Sequence, residues 1–176
     1  MSRLSEQIDA TIRNIPDFPQ PGIQYKDITP VLADTRLMRG IIGEFAKQYM
    51  QDNIDIVVGV ESRGFIFGTP LAIAIEAAFV PVRKPGKLPA DVISVEYTLE
   101  YGSGSLEIHA DAIRPGQRVV IVDDLLATGG TLAASKKLVE DLGGVVVGCA
   151  VVINLAFLNG ADQLGETPVL SLVDYQ

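Results

Sequence analysis

The segment from Val119 to Thr131, VVIVDDLLATGGT, narrows the possible folds more than any other stretch of this 176-residue chain. Val119 to Val122 form a β-branched run that is too short for a helix and too apolar for a surface strand, so it belongs inside a sheet. Asp123 and Asp124 follow at the strand's end, then a turn of small residues, then a helical pattern from Thr131 to Leu142 that Gly143-Gly144 stops. A buried strand that passes through a glycine turn into a helix is part of a βαβ unit, which calls for a mostly parallel sheet. In such sheets ligands bind at the carboxyl ends of strands, where the next helix offers free N–H groups and its positive dipole end. Ala127, Thr128, Gly129, Gly130 and Thr131 are thereby placed to wrap a phosphate. Adjacent carboxylates just before that cradle suit the vicinal hydroxyls of a sugar, so a sugar phosphate supplies both partners.

The rest of the chain keeps the same rhythm. Leu37, Met38, Ile41, Ile42, Phe45, Ala46 and Tyr49 recur at spacings of three and four after Asp34 and Thr35, which predicts a capped amphipathic helix. Ile54–Val60 reads as a buried strand, Glu61–Gly64 as a turn, and Phe65 to about Ala77 as a helix. Phe79–Val82, Val145–Ile153 and Val169–Val173 supply further strands. Two regions depart from the pattern. Asn14–Pro30 holds four prolines and is expected to be irregular backbone laid against the body. Lys84–His109 alternates with period two through Val92, Val95, Tyr97 and Leu99, and again through Leu106 and Ile108. That predicts a two-stranded ribbon projecting from the sheet as a mobile flap, since isolated ribbons are marginal in water.

Composition limits the function. With 48% hydrophobic residues the chain can fill one core, which excludes a disordered class. A net charge of −8 sets the molecule against polyanions, so nucleic acid is not an expected partner. Backbone amides and a few local cations still suffice for a small phosphorylated ligand. Cys149, the single cysteine, lies in an apolar run and is read as a buried, inert thiol. His109, the single histidine, has no metal-ligand partner at suitable spacing and is read as a ribbon residue without catalytic duty. The first residues lack the apolar stretch of a leader, and no run reaches the ~18 residues of a membrane span. A cytoplasmic protein with no membrane partner is the expectation.

Other phosphate motifs fail on inspection. Thr131 is preceded by Gly130 where a Walker A loop needs lysine, and Gly102-Ser103-Gly104 lies in the ribbon without the third glycine of a dinucleotide fingerprint. VVIVDDLLATGGT instead resembles the phosphoribosyl pyrophosphate motif of the type I phosphoribosyltransferases, and DDLLATGGT is similar to that of the adenine-specific members. Asp17–Leu32 (DFPQPGIQYKDITPVL), Glu61–Gly68 (ESRGFIFG), Arg83–Pro89 (RKPGKLP) and Leu99–Glu107 (LEYGSGSLE) resemble segments of the same family in the same order.

The resemblance implies an α/β fold in one domain over residues 1–176: a central, mostly parallel five-stranded sheet flanked by helices. It adds an N-terminal hood over residues 1–33 and a flexible β-ribbon flap over 84–109. It implies a reaction, adenine plus phosphoribosyl pyrophosphate giving AMP and pyrophosphate, with Mg2+ carried by the donor near Asp123 and Asp124. It also implies a homodimer. By the same resemblance Glu61, Ser62 and Arg63 form the pyrophosphate turn, Arg63 acting in catalysis, and Arg83, Lys84 and Lys87 add cations. Tyr25 stacks on the base with Leu126 opposite, while Gln24 and Lys26 contribute main-chain groups. Glu100 is the flap carboxylate that exchanges a proton with the base, and Tyr101 closes over the donor.

Two other readings stand beside this one. A phosphoribosyltransferase for a 6-oxo purine would need a base-reading lysine or aromatic pair near the C-terminus, and 160–176 offers none. A non-catalytic, ligand-sensing regulator would need a DNA-binding segment and basic character, and both are missing from the sequence.

Overall fold

The computed structural model describes residues 2–98 and 103–176. In chain order its elements are α1 (Arg3–Thr11), β1 (Arg13–Pro16), β2 (Gln24–Asp27), α2 (Thr29–Leu32), α3 (Thr35–Tyr49), β3 (Ile56–Val60), α4 (Gly64–Ala74) and β4 (Ala78–Val82). They continue as β5 (Val92–Thr98), β6 (Ser103–His109), β7 (Arg118–Leu126), α5 (Gly130–Asp141), β8 (Val145–Leu155) and β9 (Val169–Tyr175). Two 3-10 turns, Ala156–Leu158 and Gly160–Leu164, lie between β8 and β9.

Five strands form a parallel sheet in the order β4-β3-β7-β8-β9. The apolar runs supply both of its faces because successive side chains alternate sides. Val57, Val120, Val122, Ala150 and Val152 face one layer, where Phe45 and Ile41 of α3, Phe67 and Leu71 of α4 and Ile8 of α1 cover them. Ile56, Val58, Val119, Ile121, Cys149 and Val151 face the other, against Leu132 and Leu138 of α5. The five-stranded sheet and its flanking helices are as the resemblance implies. α3 starts where expected: the Asp34 carboxylate caps it by accepting the Arg36 N–H at 2.8 Å and the Leu37 N–H at 3.3 Å. Cys149 is fully buried, and burial pushes its thiol up to about 12, so it is inert as read.

The N-terminal segment is more ordered than its prolines suggest. β1 and β2 pair antiparallel with Ile15 opposite Tyr25, and the connecting turn is fastened by the Gly22 N–H donating to Asp17 Oδ1 at 2.7 Å. Pro19 and Pro21 sit in that turn, Pro16 ends β1, and Pro30 lies in the first turn of α2. All are places where a missing N–H removes no ladder bond.

The ribbon exists as β5 paired antiparallel with β6, yet its described part does not stand free of the body. Val95, Leu106 and Ile108 are buried in the same apolar layer as Leu132 and Leu138, and Arg83 bridges Glu107 by a reciprocal pair of backbone hydrogen bonds at 2.9 and 2.7 Å. One apolar face of the hairpin found a helix to cover it, which a period-two pattern cannot reveal.

Candidate active site

A cleft of about 610 Å³ opens at the carboxyl ends of β3 and β7. These neighbours are where the crossovers diverge: β3 leads through α4 to the edge strand β4, and β7 leads through α5 to β8 on the opposite side. Such a switch point leaves a crevice, because no connection covers it. The volume suits a small phosphorylated ligand, such sites being ~300–1,000 Å³.

The turn Ala127–Thr131 forms one wall. Gly129 has φ 87°, a left-handed conformation that glycine adopts readily, and it turns the chain from β7 into α5. Among the described residues no side chain caps the start of α5. The N–H groups of its first turn are therefore left to a ligand, with the helix dipole behind them.

The paired carboxylates form the floor. β7 runs on to Leu126, so Asp123 and Asp124 lie within the strand and not beyond its end, because β8 continues alongside as far as Leu155. Asp124 is buried and receives the Nε–H of Arg63 in an ion pair. Asp123 Oδ1 accepts the Asp124 N–H at 2.8 Å. Burial raises the Asp123 carboxyl well above the usual carboxylate range, and the neighbouring Asp124 charge adds to it. Gly64 opens α4 beside them: a Cβ there would lie 2.5 Å from the Val122 carbonyl, so the helix start approaches β7 only because it lacks a side chain.

Cations gather at the turn after β3 and in the loop after β4. Arg63 and Lys84 line the cleft, but Arg83 and Lys87 do not. Their side chains turn to Glu61, which accepts the Lys84 N–H at 2.9 Å, Arg83 Nε–H at 3.3 Å and the ammonium of Lys87. Burial alone would raise the Glu61 carboxyl, yet these donors outweigh it and hold the group at about 2. Glu61 therefore serves the basic loop as an anchor, with Ser62 and Arg63 exposed to the cleft beyond it.

The residues expected around a base are less converged. Leu126 lines the cleft at the end of β7, while Tyr25 stands outside its lining, in edge contact with Phe18 at 5.1 Å between centroids. Gln24 is exposed. Lys26 points away, donating to Asn14 Oδ1 at 2.6 Å and lying 3.7 Å from the centre of the Tyr175 ring. Glu100 and Tyr101 fall outside the described residues. Sequence reasoning passed over Tyr97 and Ser105, which reach the cleft from the ribbon, and Gly160, which packs against the cradle. Alternation along the ribbon carried a signal for Tyr97; nothing local marked Gly160.

Among the described residues no cluster of three His, Cys, Asp or Glu side chains could cage a metal by itself. Asp123 and Asp124 offer a hard cation at most two carboxylates, which fits Mg2+, an ion that commonly binds through one or two carboxylates, waters and substrate phosphates.

The family model for the phosphoribosyl transferase domain matches residues 30–166. An adenine phosphoribosyltransferase from Clostridium perfringens is 58% identical over 164 residues, covering 93% of this chain and 95% of its own. The crystal structure of adenine phosphoribosyltransferase from Thermoanaerobacter pseudethanolicus superposes with a TM-score of 0.94 at 53% identity, covering 97% of this chain and 99% of its own. That of the Saccharomyces cerevisiae enzyme, complexed with an imino-altritol bisphosphate and adenine, gives 0.91 at 38% identity, covering 98% and 99%. With the switch-point cleft, its glycine cradle and its carboxylate pair all in place, the chain belongs to the phosphoribosyl transferase family, among the adenine phosphoribosyltransferases.

Proposed function

We propose that this chain transfers the 5-phosphoribosyl group of phosphoribosyl pyrophosphate to adenine, releasing AMP and pyrophosphate, a step of purine salvage. The observation that carries the reading is the meeting, in one cleft, of an uncapped helix start, two carboxylates and a basic loop. A donor with a phosphate, a diol and a pyrophosphate matches these three walls.

In this reading Ala127–Thr131 hold the 5-phosphate, and Asp123 and Asp124 take the ribose hydroxyls. The base nitrogen bonds to the anomeric carbon as the carbon–oxygen bond to pyrophosphate breaks, its electron pair leaving with the pyrophosphate. Positive charge builds on the ribose, and the carboxylates at the cleft floor favour it. Arg63 and Lys84 meet the leaving group, and Ser62 adds a hydroxyl. Arg63 is held at the cleft by its ion pair with Asp124. Asp123 and Asp124 would hold Mg2+ together with the donor, and the ion would supply charge neutralisation for the departing pyrophosphate. Adenine lies between Leu126 and Tyr25, read by main-chain groups at Gln24 and Lys26. Glu100 takes up the proton that the base loses as the new bond forms, and Tyr101 closes over the donor.

A homodimer and a cytoplasmic setting complete the reading. α4 has no charged residue along GFIFGTPLAIA, and Ile66 and Ile73 are exposed on it, an apolar face suited to a second copy. No helix among the described residues is long and apolar enough to cross a membrane.

Incubation with phosphoribosyl pyrophosphate, Mg2+ and each purine base in turn tests the assignment. AMP forms from adenine and no nucleotide from the other bases; nucleotide from guanine or hypoxanthine alone would transfer the assignment to a 6-oxo purine. Donor binding without turnover on any base would favour a sensor.

A further inference from the structure

The geometry points to Gly160 as a positioning residue for the phosphate cradle, acting from a segment that carries no motif. The inference rests on the reading of Ala127–Thr131 as the 5-phosphate site. A Cβ placed on Gly160 would fall on the Ala127 carbonyl oxygen, far inside the 3.0 Å that real Cβ contacts respect, and 2.8 Å from the Gly129 nitrogen. The approach is mutual, since a Cβ on Gly129 would strike the Gly160 carbonyl oxygen. The two backbones are thus in direct contact, and the shape of the 127–129 turn is set partly by what stands behind it.

Gly160 cannot readily retreat to make room. It begins the 3-10 turn Gly160–Leu164, separated from the turn Ala156–Leu158 by Asn159 alone, and the Asp162 N–H closes on the Asn159 carbonyl at 3.1 Å. The far end of the segment is held to α5: Leu164 is fully buried in the α5 layer, and Lys136 Nζ reaches the Leu164 carbonyl at 3.4 Å. α5 itself starts from the cradle. The Gly160–Leu164 turn and α5 therefore form a closed frame around the phosphate turn, and a methyl group at 160 has to push Ala127 and Gly129. Both belong to the backbone proposed to meet the phosphate. Unlike Gly129, Gly160 does not have a positive φ, so alanine there brings no conformational penalty of its own.

The test is binding of ribose 5-phosphate by calorimetry, with KM for phosphoribosyl pyrophosphate and for adenine, on the full chain. Gly160→Ala is expected to weaken ribose 5-phosphate at least tenfold and raise KM for the donor similarly, leaving KM for adenine within about twofold. Lys136→Met, which cuts the tie to Leu164 without adding bulk, is expected to weaken ribose 5-phosphate by two- to fivefold and decides the matter should Gly160→Ala not fold. Gly144→Ala places a Cβ 2.8 Å from Val139 at the far end of α5 and should lower Tm without moving either constant. Thr131→Ala reports on the cradle itself. If Thr131→Ala weakens ribose 5-phosphate while a folded Gly160→Ala does not, the role of Gly160 is refuted. The same refutation follows if Gly160→Ala does not fold and Lys136→Met binds normally. If Thr131→Ala and Gly160→Ala both bind normally, the cradle reading is the one that falls. If Gly144→Ala moves the binding constant as far as Gly160→Ala, general loosening of α5 replaces the specific contact.

Discussion

Asp123 and Asp124 are adjacent in sequence and differ in what surrounds them. Both are withdrawn from water, but Asp124 has Arg63 as its partner, while Asp123 has a neighbouring carboxylate and one backbone N–H. A carboxyl whose folded pKa is raised costs stability once the pH exceeds its unfolded value of 3.8, and the cost grows until the folded pKa is passed. Asp123→Asn keeps the oxygen that accepts the Asp124 N–H and removes the charge. The expected result is a protein more stable than the wild type at pH 8, with little gain at pH 4, and with kcat/KM for the donor reduced at least tenfold. Calorimetry at the two pH values and initial rates check it; a loss of stability at pH 8 would contradict the electrostatic account. Glu61 shows the opposite sign. Its carboxyl is held at about 2, so its contribution is complete above the ordinary value of 4.5 and is lost as the pH falls toward 2. Glu61→Gln should flatten the acid limb of the stability curve between those values and loosen Arg83 and Lys87. An unchanged acid limb would mean that the three donors contribute nothing there.

The ribbon shows how an element's role depends on what covers it. Its strands carry the alternation of a half-buried hairpin, and α5 receives the apolar half through Leu106 and Ile108. Leu106→Ala removes a side chain that is 1% exposed and should cost about 2–5 kcal/mol, read as a lower urea midpoint with an unchanged slope. A cost under about 0.5 kcal/mol would mean that the ribbon stands free of the body in solution. β7 is the other instructive element. It extends four residues past Val122 because β8 runs beside it, and this keeps the carboxylates within the sheet, where their spacing is set by strand geometry.

For the whole molecule, the sheet order decides where everything meets. The ends of β3 and β7 lie side by side, so a turn at residues 61–64 and a turn at 127–130, more than sixty positions apart, face one cleft. On one face of that sheet, the charge-free α4 leaves Ile66 and Ile73 exposed, with Ile73 at 76%. Wild-type protein is expected to elute as a dimer, and Ile73→Lys as a monomer of similar Tm. A monomeric wild type at micromolar concentration would remove the dimer from the proposed function.

Much of this was written locally. The parallel core, the cap of α3 by Asp34, the glycine turn into α5 and the inert Cys149 follow from apolar periodicity, a side chain's own hydrogen-bonding reach and the conformational freedom of glycine, all short-range properties. So did the placing of Asp123, Asp124 and the Ala127–Thr131 turn on one cleft, because they lie in one continuous segment. The β1–β2 pairing was hidden by prolines that turned out to occupy only turn and end positions. What the tertiary structure alone decided involves partners distant in sequence: Arg63 turned to Asp124, Glu61 gathering Arg83 and Lys87, the ribbon docked on α5, and Gly160 behind the cradle. Charge pairing and backbone contact act through space over a few ångströms, and a linear sequence does not record which distant residues the sheet order will bring that close.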